Sequence, residues 1–466
     1  MAALEKPVSP GAAAGRDRGP AAGGFREQMI RTVRLAAPVV VARSGVLLIV
    51  VVDTIMTGRA GAEELAYLSL GMAPTVTLIL IGIGILQSTG ILSAQAKGAG
   101  AIHECGEIWR VALIHAAVLG VVAGGLCLLG EPFLAAIGQT PALARGGGGV
   151  MAMFSWSLGA VMIYVATSLF LESINRPTPG MVVMLSANVV NVGLNWVLIY
   201  GQFGLPALGA QGAVMATGIV RWLGVAALVG YVYMMPRGDD YGIRGPISNV
   251  RGWSRKLRRL GYPLGLAQGL ESSAFGTLVV LAGYLGTMAL GAYQIAFNLV
   301  ALTFMSAIGI ATATAVWVGQ AVGRRDHRGV ALAGWAGVSL AAMIMAAIAA
   351  GFAAFPRALA SIYTTDPELL VVAATAIAVA ALVLVFDGMQ AVLMGALRGA
   401  GDVWIPLGFQ TFSFWFLTVP GAALFAFVLD MGIVGLILGV LAGVVSASLL
   451  LGLRFLAVSQ REVRRY

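Results

Sequence analysis

The sequence predicts an all-α polytopic membrane protein whose twelve transmembrane helices form two six-helix lobes related by a parallel internal repeat. The chain of 466 residues is 59% hydrophobic and only 11% charged, which lies outside the usual range of soluble globular proteins. Twelve apolar runs are each long enough for the roughly 20 helical residues that cross a hydrocarbon core. The two halves of the chain also match one another, so the runs divide into two sets of six.

The apolar runs are typical of membrane helices. The segment "VALIHAAVLGVVAGGLCLLG" at 111–130, for example, contains no Asp, Glu, Lys or Arg. A transmembrane β-barrel would instead show alternating segments of about ten residues. The 63 glycines also favour packed membrane helices, because small residues let helix backbones approach closely.

The chain divides into five regions. Residues 1–30 are rich in Ala, Gly and Pro and lack the apolar core of a signal peptide, so we expect a disordered cytosolic tail. The first six spans occupy 31–236, and the second six occupy 260–456. Between them, 237–259 is a basic segment that we expect to be a cytoplasmic connector. Residues 457–466 are predicted to form a second cytosolic tail.

The positions of the basic residues predict the orientation in the membrane. If both termini are cytoplasmic, 24 of the 29 Lys and Arg lie on the cytoplasmic side, and the opposite orientation would reverse this ratio. The net charge of +9 therefore indicates juxtamembrane loops beside membrane lipids. It does not indicate a nucleic-acid partner, because no patch of interleaved aromatic residues accompanies it.

The internal repeat has an offset of 225 residues over the first two spans of each half. Matched identities include Gly84 with Gly309, Thr89 with Thr314, Gln95 with Gln320, and Gly98 with Gly323. Six spans per repeat is an even number, so both copies enter the membrane in the same direction. Transporters built from two such lobes bind substrate between them and expose it alternately to either side.

Four stretches resemble the signature segments of multidrug and toxic compound extrusion (MATE) transporters of the NorM-type branch. They are "VDTIMTGRAGAEELAYLSLG", "LNWVLIYGQFGLPALGAQGAVMAT", "GYPLGLAQGLESSAFG" and "FDGMQAVLMGALRGAGD". The resemblance extends from about Arg31 to about Arg454. It implies a V-shaped bundle that exports amphipathic organic cations in exchange for Na⁺ or H⁺, with no cofactor beyond that transported ion.

Three carboxylates lie inside the predicted spans, namely Asp53, Glu271 and Asp387. An ionised residue at mid-membrane costs at least about 2.5–3.5 kcal/mol, so each acid is expected to face a cavity or a partner. None of the three recurs at the matching position of the other half, which favours a functional role over an architectural one. The alternatives are permanent pairing with Arg43 or Arg221, the two arginines within spans, and a permanently protonated carboxyl group that joins helices by hydrogen bonds.

The resemblance implies that Glu271 and Asp387 belong to the cation site of the second lobe. Na⁺ prefers carboxylate and carbonyl oxygens as ligands. A desolvated carboxylate can instead carry a proton at physiological pH. Either ion would let these acids exchange one positive charge for another.

A second polar set lies in the first lobe. Asn191 and Asn195 are four residues apart on one helix face, and together with Asp53 and Thr217 they resemble the family's N-lobe cluster linked to cation coupling. Some relatives carry a second acid where this chain has Asn195. The alternative role for these amides is hydrogen bonding that joins membrane helices.

Five further residues are candidates for substrate contact or gating. Gln294, Asn298 and Gln390 are polar positions in apolar spans of the second lobe, where they either contact substrate in the central cavity or bond neighbouring helices. Arg398 and Asp402, in "LRGAGD", lie at the cytoplasmic end of span 10, and we predict either an ion pair that stabilises the turn or a gating contact, rather than substrate binding.

Other classes of function lack support in the sequence. No catalytic set is recognisable, so an enzyme is not predicted, and His103, His115 and His327 are too scattered to form a metal site. The runner-up function is a lipid-linked saccharide flippase of the same wider superfamily. We expect a monomer in the bacterial inner membrane.

Overall fold

The structure is a computed structural model that describes residues 24–460. Within this range it contains twelve helices long and apolar enough to cross a membrane, which confirms the predicted number of spans. They are α1 (Phe25–Ala60), α2 (Ala62–Gly98), α3 (Ile102–Leu128), α4 (Pro141–Ser173), α5 (Thr178–Tyr200), α6 (Gly209–Met234), α7 (Val250–Tyr284), α8 (Thr287–Gly323), α9 (His327–Ala354), α10 (Pro367–Gly399), α11 (Trp404–Val428) and α12 (Gly432–Ser459).

The predicted boundary of the N-terminal tail differs from the structure. Helix α1 begins at Phe25, so residues 25–30 are helical, and residues 1–23 lie outside the described part of the chain. The side chains of Gln28 and Thr32 are buried in this first part of α1. The helix therefore extends beyond the apolar run because tertiary packing, and not hydropathy alone, stabilises it.

The connector is also shorter than predicted, because α7 begins at Val250. The side chain of Asn249 caps this helix by accepting a hydrogen bond from the amide of Gly252 at 2.8 Å. Trp253 and Leu257 are buried on one face of this first part, which makes it amphipathic. At the other end of the chain, α12 extends to Ser459, and residues 461–466 lie outside the described range.

The N-lobe comprises α1–α6 and the C-lobe comprises α7–α12. Two repeat-related glycines, one in each lobe, make equivalent close contacts with the other lobe. A Cβ atom at Gly84 of α2 would lie 2.6 Å from the carbonyl oxygen of Leu264 in α7. At the matching position, a Cβ atom at Gly309 of α8 would lie 3.3 Å from the carbonyl oxygen of Ala36 in α1. Glycine at both positions therefore permits close backbone packing between the lobes.

These contacts lie towards one side of the bundle, which we call the terminal side. It is the side that carries the start of α1 and the end of α12. Because the helices alternate in direction, the even-numbered helices all end on this side.

Helix α11 departs from regular α-helical geometry. It contains π-helical turns at Phe412–Thr418 and Leu424–Val428, with Pro420 between them. The corresponding helix of the N-lobe, α5, is a continuous α-helix. π-Helical turns often accompany functional sites, and those of α11 follow directly after Gln410, which contacts the candidate cation site.

Candidate functional site

The structure brings the four predicted N-lobe residues together in one hydrogen-bonded cluster. Asn195 of α5 donates to one carboxylate oxygen of Asp53 at 2.7 Å, and the hydroxyl of Thr217 in α6 donates to the other at 2.7 Å. Asn191 donates to the Thr217 oxygen at 3.0 Å, and Asn195 also lies 3.1 Å from the amide oxygen of Asn191. The cluster therefore joins α1, α5 and α6.

The Asp53 carboxylate is enclosed by this cluster. Its side chain is 6% exposed, and both of its oxygens accept hydrogen bonds from neutral donors. Arg221 lies one turn beyond Thr217, yet it donates to Ser157 at 3.3 Å and lies over the ring of Phe154 at 5.4 Å. No described Lys, Arg or His nitrogen lies within 4 Å of the Asp53 carboxylate.

The C-lobe acids lie on α7 and α10. The half-buried Glu271 accepts one hydrogen bond, from the side-chain amide of Gln410 in α11, at 2.8 Å. Glu271 interacts electrostatically with the Arg398 guanidinium as well as with Asp387. The crevice beside Glu271 is too narrow to hold a water molecule; it is lined by Ala267, Leu270, Gln410, Thr411, Phe414 and Trp415.

Asp387 has no hydrogen-bond or ion-pair partner among the described residues. Its side chain is only 9% exposed, and in this part of the chain no side chain donates to its carboxylate and no basic nitrogen lies within 4 Å of it. A buried carboxylate normally has several hydrogen-bond donors or a cation beside it. A bound proton, a small cation or water would supply what the protein side chains do not.

Aromatic rings form a continuous cluster in the same lobe. The ring centroids of Phe275 and Phe414 are 5.6 Å apart, those of Phe275 and Phe297 are 5.8 Å apart, and those of Phe297 and Tyr293 are 5.9 Å apart. Three elements, α7, α8 and α11, contribute these rings. Tyr293 and Phe414 are buried, so in this conformation only Phe275 and Phe297 could contact apolar or cationic groups.

The three predicted cavity residues are placed differently. Gln294 and Asn298 are exposed, and they lie four residues apart on one face of α8. Gln390 is only 3% exposed, and its amide oxygen has no hydrogen-bond partner within the described chain. In this conformation Gln390 therefore does not contribute to an open surface, and substrate contact stays a prediction for all three residues.

The turn-stabilising ion pair predicted between Arg398 and Asp402 is wrong, and the alternative, a gating contact, stays a prediction. Asp402 pairs with Arg454 of α12 at 2.6 Å, whereas Arg398 donates to the side-chain oxygen of Gln87 in α2 at 2.8 Å. The tight turn after α10, in which Gly401 has φ +83°, directs these side chains to different neighbours. Arg398 therefore contacts the opposite lobe.

Two site residues were missed by the sequence analysis. Gln410 is the amide in the apolar run "WIPLGFQTFSF", a signal that the sequence did contain. Glu172 lies in the last turn of α4 and is 4% exposed, with Arg43 at 3.8 Å and the Ser168 hydroxyl at 3.0 Å. Arg43 therefore pairs with this fourth embedded acid and with neither Asp53 nor Asp387.

Comparison with known proteins agrees with this architecture. A family model described as MatE matches residues 38–197 and 263–424, and these two matches begin at the same 225-residue offset as the internal repeat. A probable multidrug resistance protein NorM of Caulobacter vibrioides is 34% identical over 96% of this chain and 94% of its own length. Another NorM, of Rhodopseudomonas palustris, is 34% identical over 92% of each chain.

Solved structures share the fold at lower sequence identity. The crystal structure of the eukaryotic MATE transporter AtDTX14 has a TM-score of 0.85 at 19% identity, with 93% of this chain and 96% of that chain covered. The bent form of the Vibrio cholerae MATE transporter VcmN has a TM-score of 0.85 at 17% identity, with 94% and 98% covered. The two family-model matches, the NorM relatives and the two-lobed twelve-helix fold together place this chain in the MatE family of transporters.

Proposed function

We propose that this protein is a cation-coupled multidrug efflux antiporter of the bacterial inner membrane. It would export amphipathic organic cations in exchange for inward-moving Na⁺ or H⁺ and would act as a monomer with both termini in the cytoplasm. The names of the NorM relatives support drug export. The observation that carries the coupling proposal is the embedded Asp387 carboxylate, which has no protein partner among the described residues.

The C-lobe acids are the proposed exchange site. Glu271 and Asp387 would bind the entering ion, with the Gln410 amide orienting the Glu271 carboxylate. Neutralising these charges would weaken their attraction for a cationic drug, and the membrane potential would add about 2.3 kcal/mol per charge per 100 mV to ion entry. The partly exposed aromatic rings of Phe275 and Phe297 would contact the apolar part of the drug.

The N-lobe cluster is a proposed second coupling element. Here the Asp53 carboxylate already has two short hydrogen bonds, so an entering ion would have to displace the Thr217 or Asn195 donor. We therefore expect the C-lobe acids to bind the coupling ion first.

Proteoliposome transport tests this proposal. Purified protein should export a cationic dye when a Na⁺ gradient or a pH gradient is imposed, and Glu271→Gln and Asp387→Asn should each reduce export to that of protein-free vesicles. Glu368→Gln is a matched control, because this acid lies in the exposed first turn of α10. Full export by both amide variants would refute the assignment. Transfer of a lipid-linked sugar without dye export would favour the flippase.

A further inference from the structure

Two glutamines related by the internal repeat cross between the lobes. Gln95, near the end of α2, donates to the backbone carbonyl of Gly399 at the end of α10, at 3.1 Å. Gln320, near the end of α8, donates to the backbone carbonyl of Ser173 at the end of α4, at 3.0 Å. Gln320 also lies 2.9 Å from the side-chain oxygen of Asn175. Each lobe therefore supplies one amide to the final carbonyl groups of a helix in the other lobe.

The helix ends beside these glutamines pack backbone to backbone. A Cβ atom at Gly98 would lie 2.6 Å from the Cα atom of Gln320, and one at Gly323 would lie 2.7 Å from the amide nitrogen of Ala99. A Cβ atom at Gly319 would lie 3.0 Å from the Cβ atom of Ala94. No side chain larger than hydrogen fits at either Gly98 or Gly323 while the ends of α2 and α8 remain in this position.

The carbonyl groups that accept these hydrogen bonds can lose their glutamine donors without being left unpaired, as a contact that opens and closes requires. The last carbonyl groups of a helix have no partner within that helix, so Gly399 and Ser173 need an external donor. When the lobes are together, the buried glutamine amides supply it. If the lobes part on the terminal side, water can hydrate both the amides and the carbonyls, so neither group remains buried without a partner.

We propose that Gln95 and Gln320 form a two-fold lock that holds the terminal side closed and must open in every transport cycle. Both are positioning residues, because they set the equilibrium between the two access states without contacting drug or ion. This inference rests on the proposed transport function. It concerns different residues from the ion site, on the terminal-side ends of α2 and α8.

Cysteine labelling in detergent tests the lock without any transported compound. Ala94→Cys, in a background with Cys105→Ser and Cys127→Ser, places a thiol against Gly319 in the closed contact. Gln95→Met or Gln320→Met should raise its labelling rate with a polar maleimide roughly fivefold, and the double variant should raise it further. The repeat-related Thr89→Val and Thr314→Val are matched controls, because neither threonine donates to the other lobe. Unchanged labelling in the double variant would overturn the proposal.

Transport kinetics distinguish a lock from a general packing role. The double variant should populate the state open to the terminal side more often. The coupling ion binds from the opposite side, so its half-saturating concentration should rise severalfold. The dye binds from the terminal side, so the half-saturating concentration of the dye should stay equal or fall. If the half-saturating concentrations of ion and dye both rose, and the yield of folded protein fell, the two glutamines would have a packing role only.

A reversible cross-link provides an independent test that does not remove the glutamines. Ala94→Cys together with Gly319→Cys should form a disulfide on oxidation once the two helices separate slightly, since the Cβ separation of 3.0 Å is shorter than the roughly 3.5–4.5 Å of natural disulfides. Oxidation should stop dye export, and reduction should restore it. Continued export by fully cross-linked protein would show that this contact need not open. Absence of export by the unmodified protein would instead refute the efflux proposal and leave the labelling result intact.

Discussion

The two lobes share a scaffold but surround their acids in different ways. In the N-lobe, α5 and α6 supply two donors at 2.7 Å to Asp53. In the C-lobe, Asp387 has no donor among the described residues, and Glu271 has one, from Gln410. An enclosed carboxylate stabilises the helices around it, whereas an uncompensated one is available to an ion. We infer that the C-lobe acids bind the coupling ion more readily, while the N-lobe cluster also stabilises the helices around it.

The internal repeat shows which side chains make the surroundings of the acids different in the two lobes. The sequence match that pairs Pro179 with Pro406 places Thr418 and Ala422 of α11 opposite the two N-lobe asparagines. Ala422 has no donor, and the Thr418 hydroxyl bonds to the backbone oxygen of Ser413 within α11. The equivalent helix of the C-lobe thus lacks the side chains that enclose Asp53, so similar backbones hold sites of different chemistry.

The largest effect is expected at Asp387, where a substitution should abolish export without lowering stability. Asp387→Asn should lose ion-driven export completely, yet its melting temperature in detergent should stay equal to wild type or rise, because the substitution removes a buried charge without removing a hydrogen bond. Export assays and thermal unfolding on the same preparation check this. A drop of several degrees in melting temperature would mean that Asp387 has a structural partner after all.

The opposite result is expected at Asp53. Asp53→Ala leaves the Asn195 and Thr217 donors buried without an acceptor, which costs about 1–3 kcal/mol for each group. The melting temperature should therefore fall strongly. Asp53→Asn retains a side-chain oxygen and should be affected less. Equal stability of the alanine variant and wild type would contradict the enclosed cluster described above.

A smaller effect is expected from Gln410→Leu, which removes the one hydrogen bond of Glu271. Hydrogen bonds to charged groups contribute about 1.5–3 kcal/mol, so the half-saturating concentration of the coupling ion should change by roughly tenfold or more. The maximal export rate should change little. Thr411→Val, at another residue of the same crevice, is the matched control. An unchanged ion dependence would exclude Gln410 from the site.

The smallest effect is expected at a partly exposed pair of the C-lobe. Arg454→Gln breaks the ion pair with Asp402, which lies on the terminal side. Such pairs contribute about 0–1 kcal/mol, so export and melting temperature should both stay near wild type. A large loss of export here would assign the turn after α10 a gating role that its present contacts do not suggest.

Several site features could be read from the sequence because they depend on local signals. The four-residue spacing of Asn191 and Asn195 puts both amides on one helix face. The resemblance to the MATE family, and not the spacing, added Asp53 and Thr217 to this cluster. Glu172 was missed because it lies at the end of an apolar run, where hydropathy alone makes an acid look like a flanking residue. The partner of Arg398 was predicted wrongly because proximity in sequence does not fix which neighbour a side chain reaches across a tight turn.

By itself, the sequence determined the twelve spans, the two-lobed repeat and the acids within the membrane, because hydropathy, periodicity and the cost of burying charge act along the chain. Only the tertiary structure decided which acids have partners. It also brought Gln95 and Gln320 to helix ends that lie 304 and 147 residues away in sequence. These contacts depend on how two separately recognisable lobes meet, and no local pattern of residues encodes that geometry.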